Sequence, residues 1–90
     1  MWKFYDVETY DNETDKVVRI ESFEDLELAE KYAKETIKNK LLDHNEQMIL
    51  LKRAYNMDRE LISEEMIRVY DNSYDEEIEN LLKEMNKWKN

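Results

Sequence analysis

Apolar residues at Leu26, Ala29, Ala33, Ile37 and Leu41 recur in steps of three and four, which draws one stripe along a helix of period 3.6. Leu28, Tyr32 and Thr36 widen that stripe, and Glu27, Glu30, Lys31, Lys34, Glu35 and Lys38 occupy the opposite face. The spacing predicts a helix across residues 22–41. Ser22 followed by Asp25 reads as its cap, with Phe23, Glu24 and Asp25 entering the first turn. Acids at its start and Lys38 and Lys40 at its end both suit the helix dipole. Ala29 and Ala33 are small residues in mid-stripe, which lets the helix lie close on a sheet.

The flanking stretches change period. Residues 2–10 are rich in aromatic and β-branched types, with Trp2, Phe4, Asp6, Glu8 and Tyr10 on one side and Lys3, Tyr5, Val7 and Thr9 on the other. The polar turn 11–15 follows, where Asn12 is the residue expected to adopt a left-handed conformation. Residues 16–22 give a second strand and close a hairpin, with Val18 and Ile20 on one face and Val17, Arg19 and Glu21 on the other. After the helix, residues 47–55 form a third strand whose consecutive apolar residues suit a position covered on both faces. In residues 60–70 the apolar positions fit both a helix and a strand. The flanking turn residues, and the need of the third strand for a partner, select a strand. Residues 74–89 form a second helix with a stripe of Ile78, Leu81, Leu82, Met85 and Trp88, and Ser73 with Glu76 reads as a capping box.

The expected order is ββαββα: one α+β domain over residues 1–90, a four-stranded antiparallel sheet with two helices packed on one face. The second ββα unit follows the first at a spacing of about 45 residues, the separation of Tyr10-Asp11-Asn12 from Tyr55-Asn56-Met57, but the two halves share too little sequence to establish a duplication. The uncovered sheet face should carry Lys, Arg and Glu among aromatics, and exposed aromatics there imply a binding surface or a dimer interface. Among Trp2, Phe4, Tyr5 and Tyr10, most should serve as core and cross-strand pairs, with Trp2 or Tyr10 exposed.

Charge adds a second layer. The chain has 14 basic and 23 acidic residues, a net charge of −9, and no Gly, Pro or Cys. Residues 1–30 carry a net −7, residues 31–57 a net +3 and residues 58–90 a net −5. Such a surface repels phosphate, which argues against direct nucleic-acid binding and against docking on an anionic membrane. The same charge attracts and steers a basic partner. The absence of Cys removes disulfides and thiolate metal sites, the longest apolar run is too short to span a membrane, and no export segment is evident; a cytoplasmic location is expected, that of the host cell if the chain is phage-encoded.

Candidate chemistry is thin. His44 sits in a polar loop beside Asp43, and Ser22, Ser63 and Ser73 lack the setting of a nucleophile. Residues 71–75 have the opening rhythm of a calcium loop, but Glu76 stands where glycine is needed and Leu82 where a bidentate Glu is needed; the run from Asp11 fails likewise. No glycine-rich phosphate loop exists, so no enzyme activity, cofactor or metal is expected. In size, acidity and lack of catalytic apparatus the chain is similar in type to the small anti-CRISPR-like inhibitors that phages and mobile elements make against host defence nucleases, although no motif carries that likeness. The leading expectation is an acidic protein that presents carboxylates to a basic groove as a DNA mimic does, inhibiting a nuclease or other nucleic-acid-binding protein. Its contact residues would be Asp6, Glu8, Asp11, Glu13, Asp15, Asp75, Glu76, Glu77 and Glu79. The alternative is an assembly module that forms a homodimer through an exposed sheet edge or apolar stripe.

Overall fold

In the computed structural model, which describes residues 2–88, the alternating segments pair into one antiparallel sheet. The elements are β1 (Trp2–Asp11), β2 (Lys16–Phe23), α1 (Leu26–Lys38), β3 (Glu46–Tyr55), β4 (Leu61–Tyr70) and α2 (Glu76–Trp88). The sheet order is β2-β1-β3-β4, so the two hairpins lie side by side with β1 and β3 at the centre. The expected ββαββα order and the α+β sheet are both present, and residues 60–70 are a strand.

The β1 alternation decides the faces. Val7 stands between Glu21 and Leu50, and Thr9 between Arg19 and Met48. Val7, Thr9, Met48, Leu50 and Tyr70 are fully buried against α1, whose Ala29 and Ala33 have no exposed surface. Without bulk at those two positions the helix backbone settles directly on β1, β2 and β3. Tyr5, Phe23, Leu26, Tyr32 and Ile37 seal the margin, with Phe23 and Tyr32 rings 5.4 Å apart. Thr36 is buried with them and returns its hydroxyl to the Tyr32 carbonyl oxygen at 2.7 Å.

The ends of α1 differ from the sequence reading. Phe23 belongs to β2, and Asp25 is the N-cap: its carboxylate accepts from the Glu27 N–H at 2.9 Å. The helix stops at Lys38 because Lys40 turns left-handed at φ 58°. The Lys40 N–H then bonds to the Ile37 carbonyl and the Leu41 N–H to the Thr36 carbonyl, the pair of bonds that closes a Schellman motif. Leu41 therefore lies past the stripe and is exposed. In the first hairpin, Asp15 and not Asn12 takes the left-handed position, at φ 62°, because the Asn12 N–H is engaged by the Asn45 carbonyl. A bulge between Thr9 and Tyr10 sets Val17 opposite Tyr10, away from the Arg19 and Glu21 face on which strict alternation puts it.

The second helix also departs from expectation. It is capped by Asp75, whose carboxylate accepts from Glu77 N–H at 2.9 Å, while the Ser73 hydroxyl donates to Asp71. Its stripe is not packed: Ile78, Leu81, Leu82 and Met85 are each more than half exposed. The cause is in the sheet. Beyond α1, the helix-bearing face presents Lys3, Lys52, Ser63, Glu65 and Arg68 around Ala54, and an apolar helix gains little by covering them. The molecule is accordingly thin, 46 × 37 × 19 Å, and its 15.0 Å radius of gyration exceeds the roughly 12 Å of a compact chain of this length.

Candidate interaction surface

Three surfaces emerge from this arrangement. The first is an acidic pole. The register places Asp11 beside Lys16 and Glu46, and Tyr70 beside Met48, so the 11–15, 42–46 and 71–75 loops all lie at one end of the sheet. Hydrogen bonds tie them: the Asn45 amide donates to Asp11 Oδ1 at 2.9 Å and Glu13 Oε2 at 3.2 Å, and the Asn72 amide donates to the Leu42 carbonyl at 2.9 Å. That end gathers Asp11, Glu13, Asp15, Asp43, Glu46, Asp71, Asp75, Glu76 and Glu77, with Lys16, Lys38 and Lys40 among them and Lys31 and Lys34 beside Glu76. Among the described residues, none of the nine carboxylates joins an ion pair.

Backbone donors hold Asp11, Glu46, Asp71 and Asp75 in place. Asp11 accepts from the Glu13 N–H at 2.8 Å, Glu46 from the Asp43 N–H, and Asp71 from the Ser73 N–H, both at 2.9 Å. The Glu13 N–H lowers the Asp11 pKa, and the Ser73 hydroxyl and N–H lower that of Asp71. These bonds favour the ionised form of Asp11 and Asp71 without neutralising their charge.

The second surface is the sheet face opposite α1. Read across the strands, one row runs Ile20, Glu8, Ile49, Val69, and the next Ser22, Asp6, Leu51, Met66. Phe4, Arg53 and Glu64 follow, then Trp2, Tyr55 and Leu61, while Val17, Tyr10 and Gln47 close the other end. Arg53 is the centre of its charge. Its Nη1 donates to Asp6 at 3.0 Å, its Nη2 to Glu8 at 2.5 Å and its Nε to Glu64 at 2.9 Å. Burial works to lower the Arg53 pKa, and the bonds to Glu8, Glu64 and Asp6 override it and raise it. The second Asp6 oxygen, Oδ1, is buried with no partner among the described residues. This face carries the expected Arg and Glu among aromatics but not the expected Lys, since Lys3 and Lys52 stand on the helix-bearing side, and its aliphatic content is larger than the alternation alone indicates. At its far end, Trp2, Phe4, Tyr55, Arg59 and Glu24 line a shallow depression, where Arg59 lies 6.0 Å from the Trp2 ring. Trp2 is exposed and Tyr10 half-buried, whereas Tyr5 joins the core margin.

The third surface is the α2 stripe. The helix is held at its first turns by Glu79, which accepts from Arg68 and the Tyr74 hydroxyl and lies 3.8 Å from Lys34. The Tyr74 hydroxyl and then Arg68 depress the Glu79 pKa to about 2. Arg68 is itself stacked 4.7 Å from the Tyr70 ring and 5.3 Å from the Tyr74 ring.

The nine acids singled out from sequence thus divide. Asp11, Glu13, Asp15, Asp75, Glu76 and Glu77 share the pole. Asp6 and Glu8 belong to the Arg53 cluster on the open face, and Glu79 fastens α2. Asp43, Glu46 and Asp71 join the pole only through tertiary structure; their places at loop ends beside the other acids were the available signal. His44 is exposed, and no group of three or more His, Cys, Asp or Glu side chains among the described residues is arranged to hold a metal ion. No helix among the described residues is long and apolar enough to cross a membrane. No family model, curated protein or solved structure matches this chain.

Proposed function

We propose that this chain is a binding protein whose acidic pole occupies the basic, nucleic-acid-handling surface of another protein and thereby inhibits it. The supporting observation is the convergence of three loops, distant in sequence, and the first turn of α2, which together place nine carboxylates at one end, with none in an ion pair among the described residues. Carboxylate oxygens spaced over a loop cluster offer a basic groove what a phosphate backbone offers, without a polymer to cleave or copy. The action is steric occupation combined with electrostatic competition, and association is fast and weakens with salt.

The test is capture from host lysate on the immobilised full chain at low and high salt, beside a Glu13→Lys, Glu76→Lys, Glu77→Lys variant. The expected result is retention of a basic nucleic-acid-binding protein at low salt, its release at high salt, and at least a tenfold loss of capture by the variant. Equal capture by both proteins at both salt concentrations rules the reading out.

A further inference from the structure

We propose that two copies of this chain form a symmetric dimer in which α2 of each copy lies across the open sheet face of the other. This inference is independent of the acidic pole. Among the described residues two unpartnered surfaces are rich in exposed apolar side chains, one helical and one flat, the flat one crossed by the Arg53, Asp6, Glu8 and Glu64 cluster. On α2, Ile78, Leu81, Leu82 and Met85 are 51–58% exposed; on the sheet, Val17, Ile20, Leu61, Met66 and Val69 are 42–62% exposed. An apolar sheet face is the ordinary seat of an amphipathic helix.

A helix cannot reach the open face of its own sheet. Glu79 fastens α2 to Arg68, Tyr74 and Lys34, which stand on the side of the sheet that carries α1. The 13 residues of α2 reach about 20 Å along the helix axis, and four strands span about 15–19 Å, so one helix covers one sheet.

Area selects this pairing among the two-copy arrangements. Side chains of this size at half exposure offer about 400 Å² on the helix stripe and about 400 Å² on the sheet face. Helix against helix, or face against face, therefore buries about 800 Å² in total, below the size of a stable interface, whereas two reciprocal helix-on-sheet contacts bury about 1,600 Å², within it. A reciprocal exchange is also isologous, so it closes at two copies.

Sedimentation velocity on the full chain over a concentration series is the test, with Leu82→Glu on the helix and Met66→Glu on the sheet face. Both positions are exposed in the single chain, so far-UV circular dichroism should be unchanged for both variants. The expected result is a dimer whose dissociation constant each variant raises at least 100-fold. Because the chain has no Cys, Leu82→Cys and Met66→Cys variants can be mixed and oxidised. Helix-to-sheet cross-links between the two variants are expected in excess of links within either variant alone. A monomer at every concentration, a dimer indifferent to both substitutions, or cross-linking only between two Leu82→Cys chains overturns the proposal.

Discussion

Arg53 and Asp6 face each other diagonally across the central strand pair, with Arg53 Nη1 3.0 Å from Asp6 Oδ2 and both side chains largely withdrawn from water. Glu8 and Glu64 complete the shell around the guanidinium. Three carboxylates on one cation make the cation indispensable, because the acids repel one another without it. Arg53→Met should cost about 3 kcal/mol of folding stability, since it leaves Asp6 buried and uncompensated. Replacing Asp6 and Glu8 by Leu and Val in the same protein should recover most of the loss. Urea denaturation of the three proteins measures both effects, and a loss under about 1 kcal/mol for Arg53→Met would contradict the account.

Glu79 makes the attachment of α2 sensitive to acid. Its pKa falls from 4.5 to about 2 on folding. A depressed carboxylate stabilises fully above its unfolded value, and the contribution disappears as the pH falls from about 4.5 through about 2. With Arg68 more than a third exposed, screening reduces the effect to about 1 kcal/mol. Glu79→Gln should therefore lower stability at pH 7, speed amide exchange in Glu76–Trp88, and match the parent protein at pH 2. Exchange rates in α2 that are identical at pH 7 would refute this.

The close approach of α1 depends on Ala29 and Ala33, neither of which has accessible surface. Ala33→Leu should force the helix off β1 and cost about 1–3 kcal/mol. Ala33→Gly should also destabilise, by about 1 kcal/mol, through helix propensity. Thermal unfolding of the pair separates crowding from propensity.

Among the described residues, three sit at positive φ in a chain that contains no glycine: Asp15, Lys40 and Arg59. Lys40 is the clearest case, because it fills the position that follows a helix C-cap in the Schellman motif. Lys40→Gly should stabilise the fold by about 0.5–1 kcal/mol. The same change at Lys31, exposed in the middle of the helix, should destabilise by about 1 kcal/mol. Chemical denaturation midpoints read both.

Much of the architecture was legible because period and composition agreed. Alternation in residues 2–10 assigned Val7 and Thr9 to the side that α1 covers, and the three-and-four spacing located Ala29 and Ala33 under the helix. The misreadings came from competition between near-equal local options. Asp25 displaced Ser22 as cap because Phe23 pairs with Tyr5 and extends β2. Asn12 lost the left-handed position to Asp15 once its N–H found Asn45, a partner more than thirty residues away. The unpacked state of α2 could not be read from its own stripe, because the reason lies in Lys52, Glu65 and Arg68 on other strands. Likewise, only pairing reveals that Asp6 and Glu8 meet Arg53 while Glu13 and Glu76 join no ion pair among the described residues.

The sheet order also fixes the sequence of events when the chain is made. β1 emerges first, yet its inner neighbour is β3, whose residues follow only after β2 and α1. Until then the first hairpin is a two-stranded ribbon, which is marginal in water, and α1 has half a floor to rest on. Assembly should wait for Glu46–Tyr55, whose contacts with β1 bridge the two halves of the polypeptide. Substitutions in β3 should consequently slow refolding, while those in β2 and β4, at the margins, should chiefly hasten unfolding.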